Sequence, residues 1–168
     1  QLEDVATQYF GVSVSSARLE DLLRDVEREV SATMVARLQA TRVAEQARQV
    51  FWMLRDPAAA ERAAGAVEVV REFELRSEVR SSKTRYTAET LAPIRDSVQA
   101  LVGALDALAT ALASPGDGRT IDESVAALSR RAEELRDDLR FLVRADDLDF
   151  VYFLEVRGRG VLLRAAPI

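Results

Sequence analysis

Residues 149–168 read DFVYFLEVRGRGVLLRAAPI, and this stretch decides the fold of the chain. Two runs rich in Val, Leu, Tyr and Phe flank Gly158-Arg159-Gly160, where glycines that tolerate a positive φ suit a tight loop. The pattern predicts a β-hairpin. Because an isolated two-stranded hairpin is only marginally stable in water, we expect this hairpin to pair with a further element.

Upstream of the hairpin, the segment YFGVSV (residues 9–14) alternates in the manner of a short strand, and nearly everything else has helical periodicity. We therefore predict a mainly α protein, an antiparallel helical bundle inserted on a small β element made of a short N-terminal strand and the C-terminal hairpin. The expected organisation is a single domain over residues 1–168. Residues 1–15 and 149–168 would be strand segments joining a larger protein, and residues 16–148 the helical insert.

The composition restricts the chemistry that the chain can perform. Its 168 residues, 48% hydrophobic and 30% charged, suit one globular domain with a sizeable core. The chain contains no Cys and no His, which excludes disulfides and the usual zinc and iron–sulfur ligand sets. It also contains no Gly-rich phosphate loop and no Ser/His/Asp set, so we predict that it is not an enzyme by itself and holds no cofactor.

Charge and hydropathy bear on partners and location. The net charge of −5 argues against nucleic-acid binding through overall charge, so a local basic patch would be needed. No run approaches the roughly 18 consecutive apolar residues of a membrane span, and the N-terminus lacks a basic and then apolar leader. We expect a cytoplasmic location and no membrane partner.

The first helix follows the N-terminal strand. Ser15 or Ser16 offers an N-cap, and an apolar stripe continues to residue 54 with a slip of register. The stripe resumes with Met34 and Leu38, which predicts one long helix that is bent or broken near residue 32.

A second helix is predicted over 57–82. Asp56 caps well, and Pro57 is tolerated at the first helical position. Beyond it the pattern loosens, and a turn or hinge is expected at 82–89.

The best-patterned part of the chain predicts two antiparallel helices that pack on the first. Leu and Val recur at three- and four-residue steps over 91–112 and again over 121–142. Thr120 with Glu123 fits a capping box, so the second of these helices should begin at 120–121 and end near 145.

One basic segment interrupts the acidic balance and is the predicted DNA contact. Its members are Arg76, Arg80, Lys83, Arg85 and Tyr86. Cations next to an aromatic ring suit the phosphates and bases of a single strand. The alternative is a solvated helix face held by ion pairs.

Other candidates are weaker. If the basic segment is only a solvated face, Arg157, Arg159 and Arg164 of the hairpin are the next cations to consider. Trp52 is better interpreted as a core residue than as a base platform, given the burial habits of aromatic residues. The clustered carboxylates lack the glycine and ligand spacing of a calcium loop and suggest solvated acidic segments. They are Asp137, Asp138, Asp146, Asp147 and Asp149.

Both ends of the chain carry a family resemblance. QLEDVATQYFG (1–11) resembles the residues that follow the Asp-Glu-Ala-His box in bacterial DinG/YoaA-type helicases, relatives of XPD. YFLEVRGRGV (152–161) through AAPI (165–168) resembles the segment that those proteins place shortly before motif III. In that family the insert between these motifs is the arch domain, which covers almost the whole chain.

The resemblance implies a parent helicase that uses ATP and Mg to translocate 5′ to 3′ on single-stranded DNA, with the motor domains and a 4Fe-4S domain as neighbours in the same chain. None of the family's catalytic motifs lies within residues 1–168, so the resemblance transfers no catalytic residue. The expected role is to guide or gate the strand. The alternative is a stand-alone helical domain that binds a partner protein through an exposed hairpin edge.

Overall fold

The computed structural model describes residues 11–29, 31–55, 82–114, 116, 118 and 120–168. Within these residues the chain forms four α-helices, four β-strands and one 3₁₀ turn. In chain order they are β1 Val12–Ser15, α1 Ser16–Arg28, α2 Met34–Arg55, β2 Ser82–Arg85, the 3₁₀ turn Ala92–Ile94, α3 Arg95–Ala113, α4 Glu123–Arg144, β3 Phe150–Arg157 and β4 Gly160–Pro167. The predicted fold class, a mainly α protein with a helical bundle on a small β element, is confirmed.

The helices pack as an antiparallel bundle. Arg18, near the start of α1, donates to Asp138 at 2.7 Å, while Asp25, near its end, accepts from Arg131 at 2.6 Å, so α1 and α4 run in opposite directions. α3 lies between α2 and α4, and the predicted pair of helices packed on the first is confirmed. Leucines fill the centre of the bundle: Leu19, Leu22, Leu54, Leu101, Leu105, Leu108, Leu112, Leu135, Leu139 and Leu142.

The predicted break in the first helix is confirmed, although the buried stripe after the break contains other residues than those predicted. α1 ends at Arg28 and α2 begins at Met34, where Thr33 Oγ1 accepts from the Ala36 N–H at 3.1 Å and provides a new start. Ala36 is fully buried, whereas Met34 and Leu38 are 81% and 59% exposed. Placing those two residues on the core stripe was therefore wrong.

The start of α4 also differs from the prediction. Asp122 is the N-cap, and its Oδ1 accepts from the Ser124 N–H at 3.2 Å, so the helix begins at Glu123. The hydrogen bonds from Ser124 lower the pKa of Asp122. The capping box at Thr120 was wrong because a competent cap lies two residues nearer the helix.

The predicted helix over 57–82 lies outside the described residues as far as residue 81. Residue 82 begins β2, which pairs antiparallel with β3 from Ser82 opposite Val156 to Arg85 opposite Phe153. The predicted turn is thus wrong for residues 82–85. Because the strand sequence SKTR contains no apolar residue, it lacks the alternation that indicates a strand.

The hairpin is confirmed and forms the centre of a four-stranded antiparallel sheet in the order β1-β4-β3-β2. Gly158 has a φ of 56° at the first position of the two-residue loop, where a type II′ turn takes glycine. β1 pairs with β4 and β2 pairs with β3, so both hairpin strands are interior to the sheet. The exposed hairpin edge that the partner-protein alternative required is therefore occupied by β1 and β2.

Gly11 fixes the approach of the chain to β1. Its φ is 77°, and a Cβ at this position would overlap the backbone carbonyl of Ala165 on β4. Glycine satisfies both the positive φ and the close approach.

The segment Ala92–Ala113 is, within the described residues, the one helix long and apolar enough to cross a membrane by length and composition. It comprises the 3₁₀ turn and α3. Its leucines Leu101, Leu105 and Leu108 are buried between α2 and α4. The bundle core therefore accounts for the apolar character of this helix.

Candidate nucleic-acid interface

Alternation along the strands gives the sheet two chemically different faces. The inner face packs on the bundle and supplies core residues, namely Val14, Tyr152, Leu154, Val161, Leu163 and Ala165. The outer face carries Ser13, Ser15, Lys83, Arg85, Val151, Phe153, Glu155, Arg157, Leu162, Arg164 and Ala166, none of which belongs to the core cluster. We call this second set the outer face.

The strand register aligns an aromatic ring between two cations on the outer face. Arg85 of β2 is opposite Phe153 of β3, and Phe153 is opposite Arg164 of β4. Since neighbouring strands lie about 4.8 Å apart, the two arginine backbones are about 10 Å apart with the ring between them. Arg85 and Arg164 are exposed and Phe153 is half-buried. We call these three residues the arginine–phenylalanine row.

The next row of the outer face contains a buried carboxylate. Glu155 is 4% exposed, accepts from Arg157 Nη2 at 2.8 Å and lies 3.7 Å from Lys83 Nζ. Lys83 Nζ also lies 4.3 Å from the centroid of the Phe153 ring, a cation–π contact. Among the described residues, the outer face thus holds four cations, Lys83, Arg85, Arg157 and Arg164, against this one carboxylate.

The structure unites some of the predicted DNA-contact residues and separates others. Lys83 and Arg85 lie on the outer face, together with Arg157 and Arg164, two of the second-choice cations. Arg159, the third of these, lies in the two-residue loop between β3 and β4. Arg76 and Arg80 lie outside the described residues.

Tyr86 cannot act as the stacking surface that the sequence suggested. It is 4% exposed, and its hydroxyl donates to the Leu142 carbonyl at 2.8 Å. That carbonyl lies in the last turn of α4, where backbone acceptors lack helical partners. Burial, and secondarily the nearby Tyr152, raises the pKa of Tyr86. Its expected exposure was wrong because alternation after Arg85 turns residue 86 toward the core.

Sequence reasoning missed Phe153 as the aromatic member of the site. The usable signal was the period-2 alternation of β3, which separates Phe153 from Tyr152 and Leu154 once the inner face is known. The burial expected for Trp52 was also wrong, since it is 57% exposed.

Three of the acidic candidates, Asp137, Asp138 and Asp146, are engaged in ion pairs with arginines. Asp138 accepts from Arg18 at 2.7 Å, and Asp137 accepts from Arg136 at 2.9 Å. Hydrogen bonds to Asp137, followed by those to Asp106, raise the pKa of Arg136. No group of three or more Asp or Glu residues in the described part of the chain has the arrangement of a metal site.

A scan against protein-family models, a search of curated proteins and a search of solved structures each returned no match. The resemblance to the helicase arch therefore stays a prediction that depends on the residues at the two ends of the chain.

Proposed function

We propose that this chain is an accessory, arch-like domain of an ATP-dependent DNA helicase that translocates 5′ to 3′, and that it guides single-stranded DNA along the outer face. The resemblance of the two chain ends supplies the helicase context. The structure of the sheet supplies a surface with the appropriate chemistry.

The arginine–phenylalanine row is the observation that carries the proposal. A single strand presents phosphates and the faces of unpaired bases, and proteins bind it with cations and aromatic rings side by side. Arg85 and Arg164 provide the cations on either side of Phe153. Both arginines are exposed and the row lies outside the core cluster, so the two cations are accessible to a ligand. Phe153 is half-buried and Lys83 lies over its ring, so a base that stacks there would displace Lys83 or share the ring with it.

The role assigned to the chain is positioning rather than catalysis. The parent helicase would supply the ATP and Mg site and the 4Fe-4S cluster from other domains. We expect the isolated chain neither to bind nor to hydrolyse ATP, because the sequence has no phosphate loop. DNA-stimulated ATP turnover by the highly purified chain would contradict this assignment.

The DNA-binding part is tested by anisotropy of a labelled oligodeoxythymidine of about 20 nucleotides, titrated with the purified chain at several salt concentrations. A single strand releases counterions with a slope of about −0.7 per phosphate contact, so the four cations of the outer face should contribute about −2.8 to the slope of log K against log salt. Replacing Arg85 and Arg164 together by Ala should weaken binding and make this slope shallower by about 1.4.

The matched control replaces Arg24 and Arg130 by Ala. These arginines form exposed ion pairs on α1 and α4, with Asp21 and Glu123, and their removal changes the net charge equally without touching the outer face. Equal losses of affinity in the two double variants would contradict the proposed site, because net charge alone would then explain the binding.

The helicase context has a separate test in the coding sequence. The reading frame upstream of Gln1 should encode an Asp-Glu-Ala-His box directly before it. An upstream reading frame without that box would refute the assignment to a helicase while leaving single-strand binding by the sheet open to measurement.

No observation in the described residues favours the alternative function, a stand-alone domain that binds a partner protein through the edge of the hairpin. It relied on an open hairpin edge, and both β3 and β4 are paired on each side.

A further inference from the structure

The C-terminal half of α2 presents a second group of cations around an exposed aromatic side chain. Arg48, Trp52 and Arg55 are separated by four and three residues and therefore share one face of the helix. All three are exposed, Trp52 by 57% of its surface. Exposing most of a tryptophan leaves a large apolar area in water, which is unusual for a side chain without a partner.

The exposed face of α2 borders a groove of about 360 Å³ between α1, α2 and the hairpin loop. Arg159 of the loop lines the groove beside Trp52, and Leu19 and Phe51 supply apolar walls. Among the described residues lining this groove, Glu20 is the one carboxylate and Arg48, Arg55 and Arg159 are the cations. The groove thus combines net positive charge with an aromatic surface.

The hairpin loop lies next to both the groove and the outer face. Arg55 of α2 donates from Nη2 to the Gly158 carbonyl, which holds the end of the helix against the hairpin loop. Arg157 belongs to the outer face, and Arg159, two residues later, lines the groove. A ligand leaving the outer face at Arg157 would therefore meet Arg159 and then Trp52.

We propose that Trp52 stacks on a base of the same single strand that crosses the outer face, with Arg48, Arg55 and Arg159 holding the adjoining phosphates. This inference rests on the proposed function and extends it from the sheet to the bundle. Charge complementarity selects the occupant: three guanidinium groups around one aromatic ring match a polyanion that also carries flat apolar faces, and single-stranded nucleic acid has both features.

The chain contains a single tryptophan, so its fluorescence reports directly on this groove. The first measurement titrates the chain with unlabelled oligodeoxythymidines of about 20 and about 6 nucleotides, the latter near the lower end of the roughly 4–16 nucleotides that a single OB fold binds. We expect the longer strand to quench Trp52 emission strongly. The shorter strand should bind with less quenching, because it can be held by the outer face alone.

The second measurement uses anisotropy of labelled strands with substituted chains. Trp52→Ala should lower the affinity for the longer strand about tenfold, which lies within the range of affinity losses caused by alanine substitutions at base-stacking aromatics. It should leave the affinity for the shorter strand unchanged. Trp52→Phe retains a stacking surface and should restore most of the affinity. Arg42→Ala is the control, since Arg42 is an exposed cation on α2 that does not line the groove.

The outcomes separate this inference from the proposed function. If replacing Arg85 and Arg164 weakens binding while Trp52→Ala changes the affinity for neither strand, the groove assignment is wrong and the outer face alone binds DNA. If the longer strand quenches Trp52 emission and replacing Arg85 and Arg164 does not change the affinity, the groove binds DNA and the outer face does not. Emission that shifts only with protein concentration would indicate a second copy of the chain in the groove and would overturn the inference.

Discussion

Replacing Glu155 by Gln should make the outer face bind single-stranded DNA more tightly, although it removes two ion pairs. The Glu155 carboxylate holds Arg157 at 2.8 Å and Lys83 at 3.7 Å. A phosphate that binds either cation must compete with this carboxylate and is repelled by it. Glutamine keeps the shape of the side chain and an oxygen that accepts from Arg157, and it lacks the negative charge.

The magnitude follows from the geometry. A phosphate held by Arg157 would lie about 7 Å from the Glu155 carboxylate, where two like charges repel by about 0.6 kcal/mol in bulk water and more near a protein surface. Salt at about 0.15 M has a Debye length of about 8 Å and screens part of this repulsion. We expect affinity to rise roughly three- to tenfold at about 50 mM salt, with a smaller gain at higher salt.

The fold should tolerate this change. The side chains of Lys83 and Arg157 are 54% and 76% exposed, and ion pairs with exposed partners contribute about 0–1 kcal/mol. Relieving the desolvation of a carboxylate whose side chain is 5% exposed offsets part of that loss. The free energy of unfolding should therefore change by less than about 1 kcal/mol, as measured by urea titration.

The assay compares Glu155→Gln with Glu133→Gln by anisotropy of the same labelled oligodeoxythymidine. Glu133 lies on α4, is exposed and does not belong to the outer face, so Glu133→Gln changes the net charge equally and serves as the control. Tighter binding by Glu155→Gln alone is expected. Unchanged or weaker binding by a folded Glu155→Gln chain would refute the reasoning, because it would mean that no phosphate comes near Lys83 or Arg157.

Three further predictions concern the fold. Leu105→Ala should lower the free energy of unfolding by about 2–5 kcal/mol in urea titrations, because Leu105 is 1% exposed. Leu148→Ala, at a side chain 90% exposed, should change the free energy of unfolding by no more than about 0.5 kcal/mol. Equal effects of the two substitutions would overturn the assigned core face. Gly11→Ala should destabilise the pairing of β1 with β4, seen as faster amide exchange in β1, because its Cβ would overlap the Ala165 carbonyl; unchanged exchange would contradict the close approach of residue 11 to β4. Burial raises the pKa of Tyr86 in the folded chain above the unfolded value of about 10, so its contribution to stability is fully present below pH 10 and is lost as the pH rises toward the folded value. Tyr86→Phe should therefore make the loss of stability at alkaline pH shallower, while lowering the free energy of unfolding by about 1 kcal/mol at neutral pH. If the melting temperature of the variant falls with alkaline pH as steeply as that of the original chain, Tyr86 does not cause this loss.

Features that depend on repeated side-chain patterns were predictable from the sequence. The Leu and Val steps over 91–112 and 121–142 correspond to α3 and α4, whose leucines occupy the bundle core. The apolar runs around Gly158 correspond to β3 and β4. In each case many residues along one element report the same face, so an error at one position leaves the prediction intact.

Features defined by pairing with distant residues were not predictable. β2 has four polar residues and is a strand because β3 lies beside it, about 70 residues later in the chain. That pairing also decides which neighbours of Arg85 face outward, so the same error that missed β2 selected Tyr86 instead of Phe153 as the aromatic contact. Lys83 and Arg85 could be named as candidates from residue type alone, because a cation is recognisable in the sequence whatever its strand pairs with.

The cations of β2 have a competing structural explanation. Edge strands often carry Lys or other charges that prevent pairing with another chain, and Lys83 and Arg85 lie on a sheet edge. This explanation does not extend to Arg164, which lies on β4 with hydrogen-bonded strands on both sides. An interior strand has no edge to protect, so the exposed Arg164 does not serve that purpose. Protection of the edge thus accounts for Lys83 and Arg85 and does not account for Arg164, whereas the proposed single strand would contact Arg164, Phe153 and Arg85 together.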